Sequence, residues 1–272
     1  MASKNIVITG GSRGIGRGLA REFMARGHNV VITSRKQDTC DEVAAELTAE
    51  FDGPKAIGVA CSVRNLEHVQ HLWKKATEAF GEVHIWINNA GISNDHHNFM
   101  DLPTEQIVST VDTNVIGLMF GCQVAMQGMA KQENGGHVYN FEGFGSNGMT
   151  SPGMAVYGAT KRAVDYFITA LAEEQDEHKV KVIAMSPGIV ITDMILDQAK
   201  YLSEEKWEMN KAIYNCLGDK VETVTPWLVE QALKNHDEGT AEPLRWLTEE
   251  KSNERFQSEE YASRDFFSEH GL

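Results

Sequence analysis

Tyr157 and Lys161 stand four residues apart in a stretch, 155–174, whose pattern predicts a helix, so the two side chains would share one helical face. A free phenol, with an ordinary pKa of about 10, exchanges protons poorly near neutrality. An ammonium beside it favours the phenolate and brings that value down. Such a phenol acts as general acid in a reduction and as general base in the reverse oxidation. The spacing alone carries little weight, because a tyrosine and a lysine at this interval are usually parts of a surface and a core. The rest of the chain decides.

The first apolar run, 5–9, ends in Thr9-Gly10-Gly11-Ser12-Arg13-Gly14-Ile15-Gly16. Glycines belong where a chain turns sharply from strand to helix and where backbone must approach a ligand. The helix predicted to follow, 15–25, would offer free N–H groups and the positive end of its dipole to a pyrophosphate. Gly10, Ser12, Arg13, Gly14, Ile15 and Gly16 are therefore the candidate phosphate cradle of a dinucleotide site. The second strand ends Thr33-Ser34-Arg35-Lys36, with no acid to receive ribose hydroxyls. Ser34 and Arg35 are placed to meet a 2′-phosphate, which Arg35 can grip with two hydrogen bonds, and Arg13 can approach from the glycine turn. That points to NADP(H) rather than NAD; the alternative is a solvated basic loop.

These residues need a scaffold. Further strands are predicted over 29–34, 56–60, 84–88, 136–141 and 180–185, and helices over 38–51, 66–80, 104–129 and 155–174. A strand over 244–247 would close the series. The βαβ alternation and near-continuous apolar strands imply a single-domain α/β fold of Rossmann type: a doubly wound parallel sheet with helices on both faces. Thr225 is expected to cap a helix running from Pro226 to about Asn235. Residues 194–218 hold Ile195, Leu196, Tyr201, Leu202, Trp207, Ile213 and Tyr214 without a clean period, and read as a lid over a bulky, largely apolar substrate; ordinary core packing is the alternative. The C-terminal extension, 249–272, is expected to be a short helix or an arm.

The chain has 272 residues and a formal net charge of −14, which argues against a nucleic-acid partner, since phosphate backbones need a basic footprint. No run of about 20 apolar residues marks a membrane span. The four cysteines, Cys40, Cys61, Cys122 and Cys216, are scattered; they form neither a zinc motif nor a disulfide framework, so no metal is expected and a reducing cytoplasm fits. His96 and His97 are expected to border the substrate side without binding metal.

Taken in order, the motifs resemble those of the short-chain dehydrogenase/reductase family over nearly the whole length. TGGSRGIG is followed by Asn88-Asn89-Ala90-Gly91, by Asn114, by Tyr157-Gly158-Ala159-Thr160-Lys161, and by Ser186-Pro187-Gly188 with Thr192. Within the family the chain is similar to chlorophyll b reductases and their bacterial relatives, through residues 85–91, 140–146 and 155–161. The resemblance implies an oxidoreductase that transfers hydride between NADP(H) and a small-molecule carbonyl or alcohol. It implies that Lys161 also binds the nicotinamide ribose, that Asn114 holds a proton-relaying water, and that Thr192 touches the nicotinamide carboxamide. Ser62, Val63, Asn89, Ala90, Gly91, Pro187 and Gly188 complete the implied cofactor site. A homodimer or homotetramer built on the helices 104–129 and 155–174 is also implied.

Three positions depart from the family pattern. The serine that donates to the substrate oxygen falls at Gly143 counting from the strand and at Phe144 counting back from Tyr157; Ser146 is the nearest hydroxyl and the candidate replacement. Ser62 stands where the family has an adenine-binding aspartate. Glu142 occupies a position where a serine is common, either to bind substrate or to face solvent. The missing serine keeps a second reading open, an NADP(H)-binding redox sensor or scaffold with little catalysis.

Overall fold

The computed structural model describes residues 3–174 and 179–272. Seven parallel strands form one sheet in the order β3-β2-β1-β4-β5-β6-β7. They are β1 (Asn5–Ile8), β2 (Asn29–Ser34), β3 (Ala56–Ala60), β4 (Ile85–Asn88), β5 (Gly136–Phe141), β6 (Val180–Ser186) and β7 (Leu244–Arg245). The helices are α1 (Gly14–Ala25), α2 (Gln37–Glu50), α3 (Leu66–Phe80), α4 (Thr104–Val111), α5 (Gly117–Met129), α6 (Ala155–Glu173), α7 (Asp193–Leu196), α8 (Glu204–Leu217), α9 (Val221–Glu238), α10 (Glu249–Phe256) and α11 (Glu259–Ala262).

Helices cover both faces, as the apolar strands require. Ile6, Ile8, Tyr139 and Met185 pack on one side with Leu19 and Phe23 of α1, Leu47 of α2 and Leu228 of α9. Val7, Trp86, Val138 and Val182 pack on the other with Leu72 of α3, Ala125 of α5 and Val164 of α6. The strand order reverses between β1 and β4, so a crevice opens at their carboxyl ends, where α/β sheets bind ligands.

Four expectations need correction. The helix expected from Pro226 begins five residues earlier, at Val221, with Lys220 rather than Thr225 as its cap. Pro226 sits in the second turn, and Thr225 Oγ1 donates back to the Val221 carbonyl at 2.9 Å. β7 stops at Arg245 because the Trp246 indole turns to Asp219, 2.6 Å away. The helix over 104–129 is interrupted by a π-helical turn, Asp112–Ile116, that carries Asn114. That helix is also long and apolar enough, by length and composition alone, to cross a bilayer; here Leu118, Cys122, Ala125 and Met129 bury its inner face in the core.

The segment after β6 is built as a cap. Asp219 bridges back beside Val190, and α8 is roofed by the C-terminal arm, whose Phe266 and Phe267 pack with Trp207 and Tyr214. Residues 249–272 are thus short helices folded onto the lid.

Candidate active site

The first turn of the chain is tied to β4. Thr9 Oγ1 accepts from the N–H groups of Asn89 and Ala90, both at 3.1 Å. Asn89 Nδ2 donates to the carbonyls of Thr9 at 2.9 Å and Gly10 at 3.1 Å. The packing leaves no space for a side chain at Gly16, where a Cβ would crowd the Gly10 carbonyl and stand 2.6 Å from Asn89 Nδ2. α1 follows with Arg13 at its cap, whose side chain makes no capping hydrogen bond. The first N–H groups of α1 therefore face the crevice without a side-chain partner, a ready anion site.

A cleft of about 2620 Å³ runs from this turn to the lid. Small-ligand pockets span roughly 300–1,000 Å³, so this one has room for a dinucleotide and a second molecule. Every residue expected to hold the cofactor lines it, and Ser146 does too. Arg35 is exposed at the mouth and has no ion-pair partner among the described residues, whereas Arg13 reaches across to Asp193 of α7 at 3.0 Å. Ser34 spends its hydroxyl on the turn itself, donating to the Lys36 carbonyl at 2.9 Å. An uncapped helix start, a backbone cradle and a free guanidinium together fit a nicotinamide dinucleotide.

α6 delivers Tyr157 and Lys161 into the same cleft. Asn94, which the sequence reading did not single out, fixes the start of that helix: its Oδ1 accepts from the Tyr157 N–H at 3.1 Å, and its Nδ2 donates to the Gly153 carbonyl at 2.9 Å. Nothing in its spacing marks it; its role follows from burial at 4 % exposure. Lys161 Nζ donates to the Phe141 carbonyl at 3.0 Å and lies 5.8 Å from the Tyr157 ring centre. The expectation that Lys161 lowers the phenol is not met in the free protein. Burial pushes Tyr157 up to about 12 and draws Lys161 down to about 8, the latter partly restored by Glu142.

Asn114 is buried and does not line the cleft. Its Oδ1 accepts from the Ile92 N–H at 2.9 Å, and its Nδ2 donates to the Ile92 carbonyl at 2.8 Å and to Thr160 Oγ1 at 3.1 Å. It thus pins the loop after β4 to α6. Gly143 stands where a serine was sought, and a Cβ there would sit 2.6 Å from Tyr157 Oη; the phenol occupies the space a larger residue would need. Ser146 follows one turn later, its N–H donating to the Gly143 carbonyl at 3.0 Å.

Glu142 does not face solvent. It is 7 % exposed, in the cleft wall, with Arg245 Nη2 3.3 Å from its Oε1. On the substrate side His96 lines the cleft with Nε2 buried and unpartnered, and burial holds its pKa below the ordinary value. His97 packs edge-on against Tyr201 of the lid. Among the described residues no His, Cys, Asp and Glu group is arranged to hold a metal ion.

A family model, the short chain dehydrogenase, matches residues 4–201. The chain belongs to the short-chain dehydrogenase family. Among curated members of this oxidoreductase family, it is 36% identical over 252 residues to the chloroplastic chlorophyll(ide) b reductase NOL of Arabidopsis thaliana, covering 90% of this chain and 70% of that one. It is 34% identical over 241 residues to the probable chlorophyll(ide) b reductase NYC1 of the same plant, covering 83% of this chain. The chain spans about half the length of NYC1, at 47%. A short-chain type dehydrogenase/reductase from Mycobacterium marinum superposes with a TM-score of 0.77 at 27% identity, over 90% of this chain and 94% of the other.

Proposed function

We propose that this short-chain dehydrogenase reduces a carbonyl to an alcohol with NADPH, and that Tyr157 donates the proton. The observation that carries the reading is that Tyr157, Lys161, the uncapped start of α1 and the free Arg35 face one cleft. Bound NADPH supplies the hydride to the carbonyl carbon. Tyr157 Oη gives its proton to the carbonyl oxygen. Its high pKa keeps it protonated near neutrality, and a charged Lys161 nearby stabilises the phenolate it leaves. Ser146 supplies a second hydroxyl from the cleft wall, and Arg35 takes the 2′-phosphate.

The substrate in this reading is large and mostly apolar. Ile195, Leu196 and Leu202 of the lid line the cleft, joined by Met209, Ile213 and Phe256 at its rim. Because the relatives are named for chlorophyll(ide) b, a formyl-bearing tetrapyrrole is the first substrate to try, beside smaller ketones and aldehydes. NADPH oxidation at 340 nm with product analysis tests the reading. Turnover of a bulky carbonyl, with NADPH preferred over NADH, is expected. Tight NADPH binding with no turnover of any carbonyl class would replace it with a sensor or scaffold.

The same reading includes a homo-oligomer. Val108, Val111 and Ile116 leave an exposed apolar row on the helix over 104–129, and Tyr166 is 76 % exposed on α6. Sedimentation equilibrium tests it, and a monomer at micromolar concentration would refute it.

A further inference from the structure

Glu142 is a buried, ionisable cleft residue for which the proposed reaction has no task. Burying a carboxylate is costly unless charged and polar partners receive it, yet this one is buried where β5 ends, its N–H donating to the Met185 carbonyl at 2.9 Å. Strand alternation decides which way it faces. Val138 packs with Val164 and Ile168 of α6, whereas Tyr139 and Phe141 belong to the opposite face. Residues two apart share a face, so Glu142 continues the Val138 row toward α6.

Two cations converge there. Ser186 pairs with Arg245, and the neighbouring pair Met185 and Leu244 lies on the opposite face, which puts Arg245 on the Glu142 side, at 3.3 Å. Lys161 enters from α6. Its Nζ meets the Phe141 carbonyl, and a Cβ on Gly143 would stand 3.1 Å from its Cε. The lysine stem therefore runs along residues 141–143 and brings its ammonium to the backbone next to Glu142. Burial raises the pKa of Glu142, Arg245 and Lys161 oppose that rise, and Asp165 of α6, itself held by Arg162 at 2.8 Å, adds to it. Around Lys161 the Tyr157 ring is uncharged at neutral pH, and Glu142 is the carboxylate that opposes the loss of charge on burial.

We propose that Glu142 is a positioning residue for proton transfer: held by Arg245, its carboxylate is the counter-charge that keeps the buried Lys161 protonated near neutral pH. The consequence for catalysis rests on the carbonyl-reductase reading, but the effect on Lys161 exists without substrate. With Lys161 charged, the phenolate formed when Tyr157 gives up its proton has a cation nearby. With Lys161 neutral it does not.

Lysine labelled with ¹³C at the ε-carbon makes the titration of Lys161 visible by NMR, assigned with Lys161→Arg. In Glu142→Gln the midpoint is expected to fall by about one unit, and Glu142→Asp should keep it within about half that distance of wild type. An unmoved midpoint in Glu142→Gln overturns the proposal. Should that variant fail to fold, the wild-type titration decides. The Lys161 signal should show a second, smaller step at acidic pH as Glu142 takes its proton, and a single smooth transition overturns it. In steady-state kinetics Glu142→Gln should move the alkaline limb of the reduction profile downward by the same interval, with KM for NADPH within about twofold. A loss of rate with the limb unmoved counts against the proposal. An inactive wild type would refute the reductase reading, while the NMR shift would still decide the role of Glu142.

Discussion

The Lys161 ammonium points at the Phe141 carbonyl, 3.0 Å away, and not at the phenol of Tyr157, whose ring centre lies 5.8 Å off. In the free protein the two residues are neighbours in one cleft rather than a hydrogen-bonded dyad. Burial holds the phenol protonated, up to about 12, so the group that titrates near the working range is Lys161, at about 8. Its charge is present below that value and lost above it. Reduction should therefore run level from pH 6 to about 7.5 and decline through pH 9, with kcat read at saturating NADPH. Tyr157→Phe should lose about 100-fold or more in kcat, with NADPH binding by fluorescence little changed. A rate independent of pH from 6 to 10 would contradict this assignment.

Gly143 bears on the same phenol. A Cβ there meets Tyr157 Oη at 2.6 Å and the stem of Lys161 at 3.1 Å, so placing a serine at this position should displace the tyrosine rather than add a useful donor. Gly143→Ser is expected to lower kcat/KM about tenfold or more, since small misplacements of reacting groups are costly. Ser146→Ala should reduce it on the order of 100-fold if its hydroxyl serves the carbonyl oxygen. Near-normal kinetics in Ser146→Ala would leave that role to another donor.

Arg35 should set cofactor choice. It is exposed, lines the cleft and has no carboxylate to hold it among the described residues, whereas Arg13 is engaged by Asp193. A charged hydrogen bond is worth about 1.5–3 kcal/mol, so Arg35→Ser should cost roughly 10- to 100-fold in kcat/KM for NADPH and leave NADH use unchanged. Equal losses with both cofactors would show that the residue does not read the 2′-phosphate.

How much of this was legible depended on how local the signal was. The strands 29–34, 56–60 and 136–141 were readable to the residue, because an apolar run between turn residues is a short-range pattern. The glycine turn and the Tyr157/Lys161 pair were readable for the same reason. Glu142 was visible as an oddity, but its burial depends on Arg245, about a hundred positions later, and no local period reports that. Asn94 carries no local signal because its partners, Gly153 and Tyr157, lie 59 and 63 positions later in the chain. The helix at 221 starts ahead of its proline: Pro226 sits in the second turn, where it forgoes one helical hydrogen bond, and the bridge of Asp219 to Val190 just before the helix is a tertiary contact that no local pattern reports.

Four histidines at the amino ends of the central strands, the end of the sheet away from the cleft, should make the fold acid-sensitive. His28 accepts from the Lys4 N–H and His84 from the Asn5 N–H, while His236 lies 5.8 Å from the ring of His84 and 5.1 Å from that of His137. Burial, with Lys4 next in weight, holds His28 and His236 down to about 4; burial also lowers His84 and His137. His28 and His236 therefore stay neutral in the folded chain well below the pH, near 6.5, at which an unfolded chain takes up protons, and the lowered His84 and His137 act in the same direction. The unfolded state thus binds more protons between about 6.5 and 4, and stability is lost as pH falls through that window. Tm should drop steadily from pH 7 to pH 5, less so in His236→Gln. A flat Tm over that range would mean the ring cluster titrates as freely as in water.

Asp219 should be the keystone of the lid. Its carboxylate pairs with Arg255 at 2.8 Å and Arg264 at 3.3 Å, and accepts from the Trp246 indole at 2.6 Å. Arg255 and Asp219 side chains are 4% and 6% exposed, so removing one charge strands the other away from water. Breaking a buried pair this way costs about 3–5 kcal/mol. Arg264 also donates to the Asn215 carbonyl at 2.9 Å, at the end of α8, so the carboxylate ties the C-terminal arm to the lid, while the Asp219 backbone pairs with Ile189 and Ile191 in the loop that carries Thr192. Asp219→Asn keeps the size but loses the charge, and should lower Tm by roughly 5–10 °C. Because the lid then loosens over the substrate half of the cleft, KM for a bulky carbonyl should rise more than KM for NADPH. A variant that melts early yet keeps both KM values would show that the network holds the arm without shaping the site.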